Sequence, residues 1–201
     1  MERAMVFAVA GWCGFFVMAI ELLCGRILAP NFGSGIYVWG GIITVFMVAL
    51  ALGYLIGGRY SVSRPSLRRL AVLLMVSALA SLPVITVGDA MLDRIFDAVH
   101  DPRYGSLLSV TLLFFLPVLL CGMISPYAVR LLVHEYELSG QFAGLLYFVS
   151  TFGSAAGTLL TSFYLVLAFE IREIVGGLVS ISVMLSIVAL MFARSRRAAR
   201  A

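Results

Sequence analysis

Six apolar runs punctuate this chain, at roughly 5–28, 38–58, 70–88, 106–125, 141–168 and 173–193. Each is close to the ~20 residues a helix needs to cross the hydrocarbon core of a bilayer. In lipid, every backbone N–H and C=O must be satisfied within the segment, so runs of this length fold as helices. Composition agrees. Of the 201 residues, 62% are hydrophobic and 12% charged, where a soluble domain carries about 25% charge. Mean hydropathy is +1.08. An ordinary cytosolic enzyme, a disordered chain and a secreted disulfide scaffold are excluded. The first run is too long for a signal peptide and ends in Cys24-Gly25-Arg26 without a small-x-small cleavage site, so it reads as a retained helix. The expected fold is therefore all-α: one six-helix transmembrane domain over 1–201, surrounded by lipid.

The basic residues orient it. All 14 are arginines, and the net charge is +4. With six alternating helices, Arg3, Arg59, Arg64, Arg68, Arg69, Arg130, Arg194, Arg196, Arg197 and Arg200 fall on one side, and Arg26, Arg94, Arg103 and Arg172 on the other. The positive-inside rule then predicts both termini in the cytoplasm, in a membrane of the bacterial inner type. The same reading removes any need for nucleic acid to explain the positive charge.

Between the third and fourth spans, Met91, Leu92, Ile95, Phe96 and Val99 form an apolar face, which predicts a short interfacial helix. Asp89, Asp93, Asp97 and Asp101 recur every four residues on its other face, read as solvated. A three-plus-three repeat is also suggested. The first span ends near Ala29-Pro30 and the fourth near Ser125-Pro126; the second carries Gly53-Tyr-Leu-Ile-Gly57 and the fifth Gly153-Ser-Ala-Ala-Gly157. Small residues at this spacing let helices approach closely, and such repeats build many transporters.

Glu21 is the most informative position. It lies about 16 residues into the first span, roughly 24 Å along it at 1.5 Å per residue. A carboxylate there is costly unless it faces a partner or a wet cavity, so it reads as a counter-charge for a cation or as a proton carrier. A structural ion pair within the bundle is the alternative. Arg26, about 140° further round the helix, is not placed to pair with it and can snorkel outward. Pro30, Gly33 and Gly35 then break the helix and leave Asn31 near the outer surface. Tyr37 and Trp39 read as interface anchors.

The fourth and fifth spans add Ser125, Tyr127, Tyr147, Ser150, Thr151, Thr158 and Thr161, hydroxyls suited to interhelical hydrogen bonds or to a polar path. Arg130, His134 and Glu135 sit at the inner end of the fourth span. Cys13, Cys24 and Cys121 lie in apolar runs without metal-ligand spacing and read as small packing residues. No P-loop, nucleophile elbow or Ser/His/Asp set is present. The sequence points away from catalysis by this chain alone, and toward neither a metal nor a cofactor.

The run Glu21-Leu-Leu-Cys-Gly-Arg26-Ile-Leu-Ala-Pro30-Asn-Phe-Gly33-Ser, with Tyr37-Val-Trp39-Gly, resembles the membrane domain of fused transporter/spermidine synthase proteins. So do Gly53-Tyr-Leu-Ile-Gly57-Gly-Arg59, Ser125-Pro126-Tyr127-Ala-Val-Arg130, and Gly144-Leu-Leu-Tyr147 through Gly153-Ser to Gly157-Thr. The resemblance implies a bundle like half of a major-facilitator transporter, preceding a cytoplasmic aminopropyltransferase domain that acts on putrescine and decarboxylated S-adenosylmethionine. Two features depart from that pattern. The catalytic domain is missing from the sequence, as expected either of a gene for the membrane module alone or of a truncated chain, and the turn Arg59-Tyr-Ser-Val-Ser-Arg64-Pro65 lacks the acidic residue usual there.

Two functions follow as expectations. In the first, the module binds, and in one version translocates, a polyamine-type cation beside an aminopropyltransferase, using Glu21, Arg26, Asn31, Tyr54, Ser125, Tyr127, Tyr147 and Thr151. Tyrosine rings would face the ammonium, and two copies would pair in parallel into a twelve-helix assembly. In the second, it is a non-transporting membrane anchor for the enzyme.

Overall fold

A computed structural model describes residues 2–63, 65–133 and 139–198. Arg64, His134, Glu135 and Arg200, named above, lie outside the described residues, as do the side chains of Arg196 and Arg197. The described residues are helical and contain no strand. In chain order they form α1 (Glu2–Phe32), α2 (Ile36–Val62), α3 (Leu67–Leu79), α4 (Leu82–Thr86), α5 (Gly88–Ala98) and α6 (Pro102–Leu132). Then follow α7 (Ser139–Leu160), a π-helical turn (Thr161–Leu165), α8 (Val166–Ala168) and α9 (Ile171–Ala198). Among them, six helical stretches are long and apolar enough to cross a membrane, with α3–α4 together making the third and α7–α8 the fifth.

The expected spans recur with different ends. α1 passes Pro30 and stops at Phe32, where Gly33 takes φ +75 and its N–H bonds the Ala29 carbonyl at 2.9 Å. This is the left-handed cap that glycine tolerates. α6 does not end near Pro126 but continues to Leu132, with Pro117 and Pro126 inside it. Burial of Ala128 and Leu132 offsets the ~3 kcal/mol that an interior proline costs. The third span is broken at Ala80-Ser81, because Pro83 has no N–H and its ring would meet the carbonyl one turn back. The helix expected between the third and fourth spans is α5, with Leu92 and Ile95 buried and Asp89, Asp93 and Asp97 exposed.

α1 and α6 are the core of the bundle. In each, 56% of the most apolar 18-residue stretch is buried, against 33% for α2 and 11% for the α7 span. α2 packs on α6, α7 on α1, and α3 between α6 and α9.

The two principal crossings are built alike. A methyl group on Gly53 of α2 would sit 2.3 Å from the Leu119 carbonyl oxygen of α6, and one on Gly57 would sit 2.5 Å from the Met123 backbone. Conversely, one on Gly122 would lie 2.9 Å from the Leu50 carbonyl oxygen. On the other side, Gly153 of α7 abuts Gly11 of α1, Gly157 abuts Phe15, and Gly14 abuts Ser150. Residues 50, 53 and 57 thus stand to 122, 119 and 123 as residues 150, 153 and 157 stand to 14, 11 and 15. Both crossings are parallel pairs with backbone against backbone, an approach only glycine permits.

Candidate functional site

The sequence-predicted residues divide among three places. The first is a strip of α1 that meets both α7 and α2. Gly14, Met18, Glu21 and Gly25 fall at i, i+4, i+7 and i+11 and share one strip of α1. At Gly14 this strip abuts Ser150 and Ser154 of α7, and at Gly25 it abuts the Trp39 ring of α2. Glu21 lies between these contacts, half-buried, with no hydrogen-bond or ion-pair partner among the described residues. Tyr54 lies on α2 and Tyr147 on α7. The two tyrosines stay open to the outside, at 48% and 59% exposure. Cys13 and Glu21 flank Val17, the midpoint of α1, each about 6 Å from it along the axis at 1.5 Å per residue. The strip from Gly14 to Gly25 therefore runs past the middle of the span. Thr151 is on α7, exposed, four residues beyond Tyr147.

Thr161 lies further along the α1–α7 crossing. It is fully buried, and its hydroxyl has no hydrogen-bond partner among the described residues. Gly11 faces Gly153 and Phe15 faces Gly157; the same parallel register brings Thr161 level with Ala19, two residues before Glu21. Thr161 also opens the π-helical turn, a helix irregularity frequent at functional sites. Sequence reasoning placed Thr161 among the hydroxyls without singling it out, because a π turn leaves no periodicity to read.

The second place is the end of the bundle bearing Arg26 and Asn31. Arg26 Nη1 donates to the Val166 carbonyl at 3.0 Å. Val166 is in the last helical turn, and the Glu170 N–H that would have reached that carbonyl donates instead to Glu173 Oε2 at 2.9 Å. Arg26 therefore caps the end of α8, satisfying a carbonyl that the helix leaves free. Asn31 Nδ2 donates to Asp93 Oδ1 at 3.0 Å, and Phe32 meets Phe96 edge-on at 5.8 Å, so α5 is strapped onto the end of α1. Asp89 pairs with Arg172 at 2.5 Å. Both residues have structural partners there, well away from Tyr54.

The third place is the α2–α3 turn. Tyr127 is completely buried. Its hydroxyl accepts the Ser66 N–H at 3.0 Å and donates to the Ser66 carbonyl at 3.5 Å. Ser125 is half-buried on α6, one turn beyond Cys121, whose carbonyl accepts from the Cys13 thiol at 3.4 Å. Cys13, Cys24 and Cys121 are free and buried.

Of the expected set, Glu21 is half-buried on α1, Tyr54 on α2 and Tyr147 and Thr151 on α7 are exposed, and Arg26, Asn31 and Tyr127 are engaged elsewhere. Among the described residues no group of histidine, cysteine and carboxylate side chains could hold a metal ion. No family model, curated protein or solved structure matches this chain.

Proposed function

We propose that this chain is a six-helix membrane module that binds, and carries across the bilayer, an organic cation of the polyamine type at the strip of α1 that meets α7 and α2. The observation that carries the reading is Glu21: a carboxylate near the middle of α1, half-buried and without a partner among the described residues. An intramembrane charge left without a partner is expensive, and an ammonium group would supply the missing counter-charge. The exposed rings of Tyr54 and Tyr147 offer π faces to the rest of such a ligand.

The like-built crossings α2–α6 and α1–α7 support a three-plus-three inverted repeat of the kind found in facilitator halves. The open faces of α2 and α7 suit pairing of two copies in parallel. The arginine-rich end, by the positive-inside rule, is the cytoplasmic one, where an aminopropyltransferase would supply or consume the cation. The resemblance to fused transporter/spermidine synthase proteins motivates that partner.

The test is thermal stabilisation of the purified protein by putrescine, spermidine, decarboxylated S-adenosylmethionine and methylthioadenosine, since a ligand of the folded state raises apparent stability with occupancy. A saturable shift with a cationic ligand, lost in Glu21→Gln, is expected. No shift with any of them moves the reading to a membrane anchor, whose partner enzyme would then co-purify with the chain.

A further inference from the structure

We propose that the cleft at the α2–α3 turn binds the headgroup of an anionic phospholipid from the leaflet on the arginine-rich side. The cleft has a volume of about 550 Å³ and is lined by Tyr60, Ser66, Arg68, Arg69, Val72 and Leu73, with Pro65 at the turn. Two arginines line it, and among the described residues no carboxylate does. Arg69 is pre-positioned: it donates to the Ser63 carbonyl and lies 5.4 Å above the Tyr60 ring. That ring in turn packs against Tyr127 at 5.7 Å. Arg68 is exposed and has no hydrogen-bond or ion-pair partner among the described residues. A site with two positive charges and, among the described residues, no acidic partner favours a phosphodiester over a headgroup that also carries an amine.

The neighbouring surface favours a lipid over a soluble phosphate. Arg68, Val72, Val76 and Leu79 follow at i, i+4, i+8 and i+11, so they share one side of α3. All four are exposed, the last three at 42%, 44% and 45%. That side points away from α6 and α9, the helices on which α3 packs. Arg68 therefore heads an apolar stripe along which acyl chains would run, with the phosphate against the two guanidinium groups. Basic pockets at the ends of spanning helices recognise acidic lipids in this way.

Native mass spectrometry of the delipidated full chain, titrated with phosphatidylglycerol and with phosphatidylcholine of the same acyl chains, tests this. Phosphatidylglycerol should be retained preferentially, and Arg68→Gln should remove about fivefold of that preference. Arg94→Gln, which removes one charge from the other side of the bundle, should leave it intact. Equal retention of the two lipids, or equal losses from Arg68→Gln and Arg94→Gln, would overturn the assignment. So would displacement of phosphatidylglycerol by glycerol 3-phosphate at matching concentration, which would make the ligand a soluble phosphate. Because Arg68 has no partner among the described residues, the variant should keep the melting temperature of the parent.

Discussion

The Ser66 backbone N–H and the Tyr127 hydroxyl are hydrogen-bonded at 3.0 Å across 61 residues of sequence. Ser66 is also the N-cap of α3, its side chain accepting from the Arg69 N–H at 3.3 Å. One tyrosine of α6 thus fixes the point at which the third span begins. Tyr127→Phe should destabilise the protein by about 1–3 kcal/mol, because a buried donor is left unsatisfied. Chemical denaturation in detergent measures it, and an unchanged midpoint would mean that the Ser66 N–H finds water.

Gly57 and Gly58 are neighbours with opposite surroundings. A methyl group on Gly57 meets the Met123 backbone, whereas nothing lies within 4 Å of one on Gly58. Gly57→Ala should separate α2 from α6 and cost about 1–3 kcal/mol. Gly58→Ala should be neutral or gain up to about 1 kcal/mol from helix propensity. The ordering of the two melting temperatures is the readout.

Glu21 has no partner among the described residues. Glu21→Leu should therefore leave stability unchanged or raise it by about 1–3 kcal/mol, while abolishing any response to a cationic ligand. A drop in stability of the ligand-free protein would instead reveal a structural role for the carboxylate.

The hydroxyl of Thr161 is buried without a partner. Thr161→Val keeps the shape of the side chain and removes the polar atom, so it should stabilise by about 1–3 kcal/mol. Destabilisation would place an ordered water or a ligand atom at that position.

Asp89 and Arg172 pair at 2.5 Å but are 71% and 67% exposed. Solvent screens such a pair, and Asp89→Asn should cost less than about 1 kcal/mol. A larger loss, seen as a lowered unfolding midpoint, would show that the pair holds α5 against α9.

The six spans were legible because apolar length alone specifies a crossing helix, and α5 because Met91, Leu92 and Ile95 share one face. The glycine pairs of α2 and α7 were legible as close-packing signals, but not their partners. Spacing within a helix says that something approaches, not that Gly153 meets Gly11 across 142 residues. Proline misled at Pro126, where burial of the following turn outweighed the lost hydrogen bond. At Pro83 it broke a span that hydropathy reads as continuous. Polar residues divided for a similar reason. Glu21 stands out because a carboxylate inside an apolar spanning run is visible from the sequence as a residue that needs a partner or water. Whether Arg26, Asn31 and Tyr127 serve a ligand or a backbone group depends on Val166, Asp93 and Ser66, which only the folded chain brings near.

The two glycine crossings also dictate an order of assembly. Each joins a helix from the first half of the chain to one from the second: α1 to α7, and α2 to α6. A nascent chain that has delivered only α1 to α5 holds two glycine-lined grooves with nothing in them. The groove on α2 closes when α6 enters the bilayer, and the one on α1 stays open until α7 follows. The N-terminal helix, first to be made, is thus among the last to find its main neighbour. Truncation before Ser139, where α7 begins, would leave α1 without it.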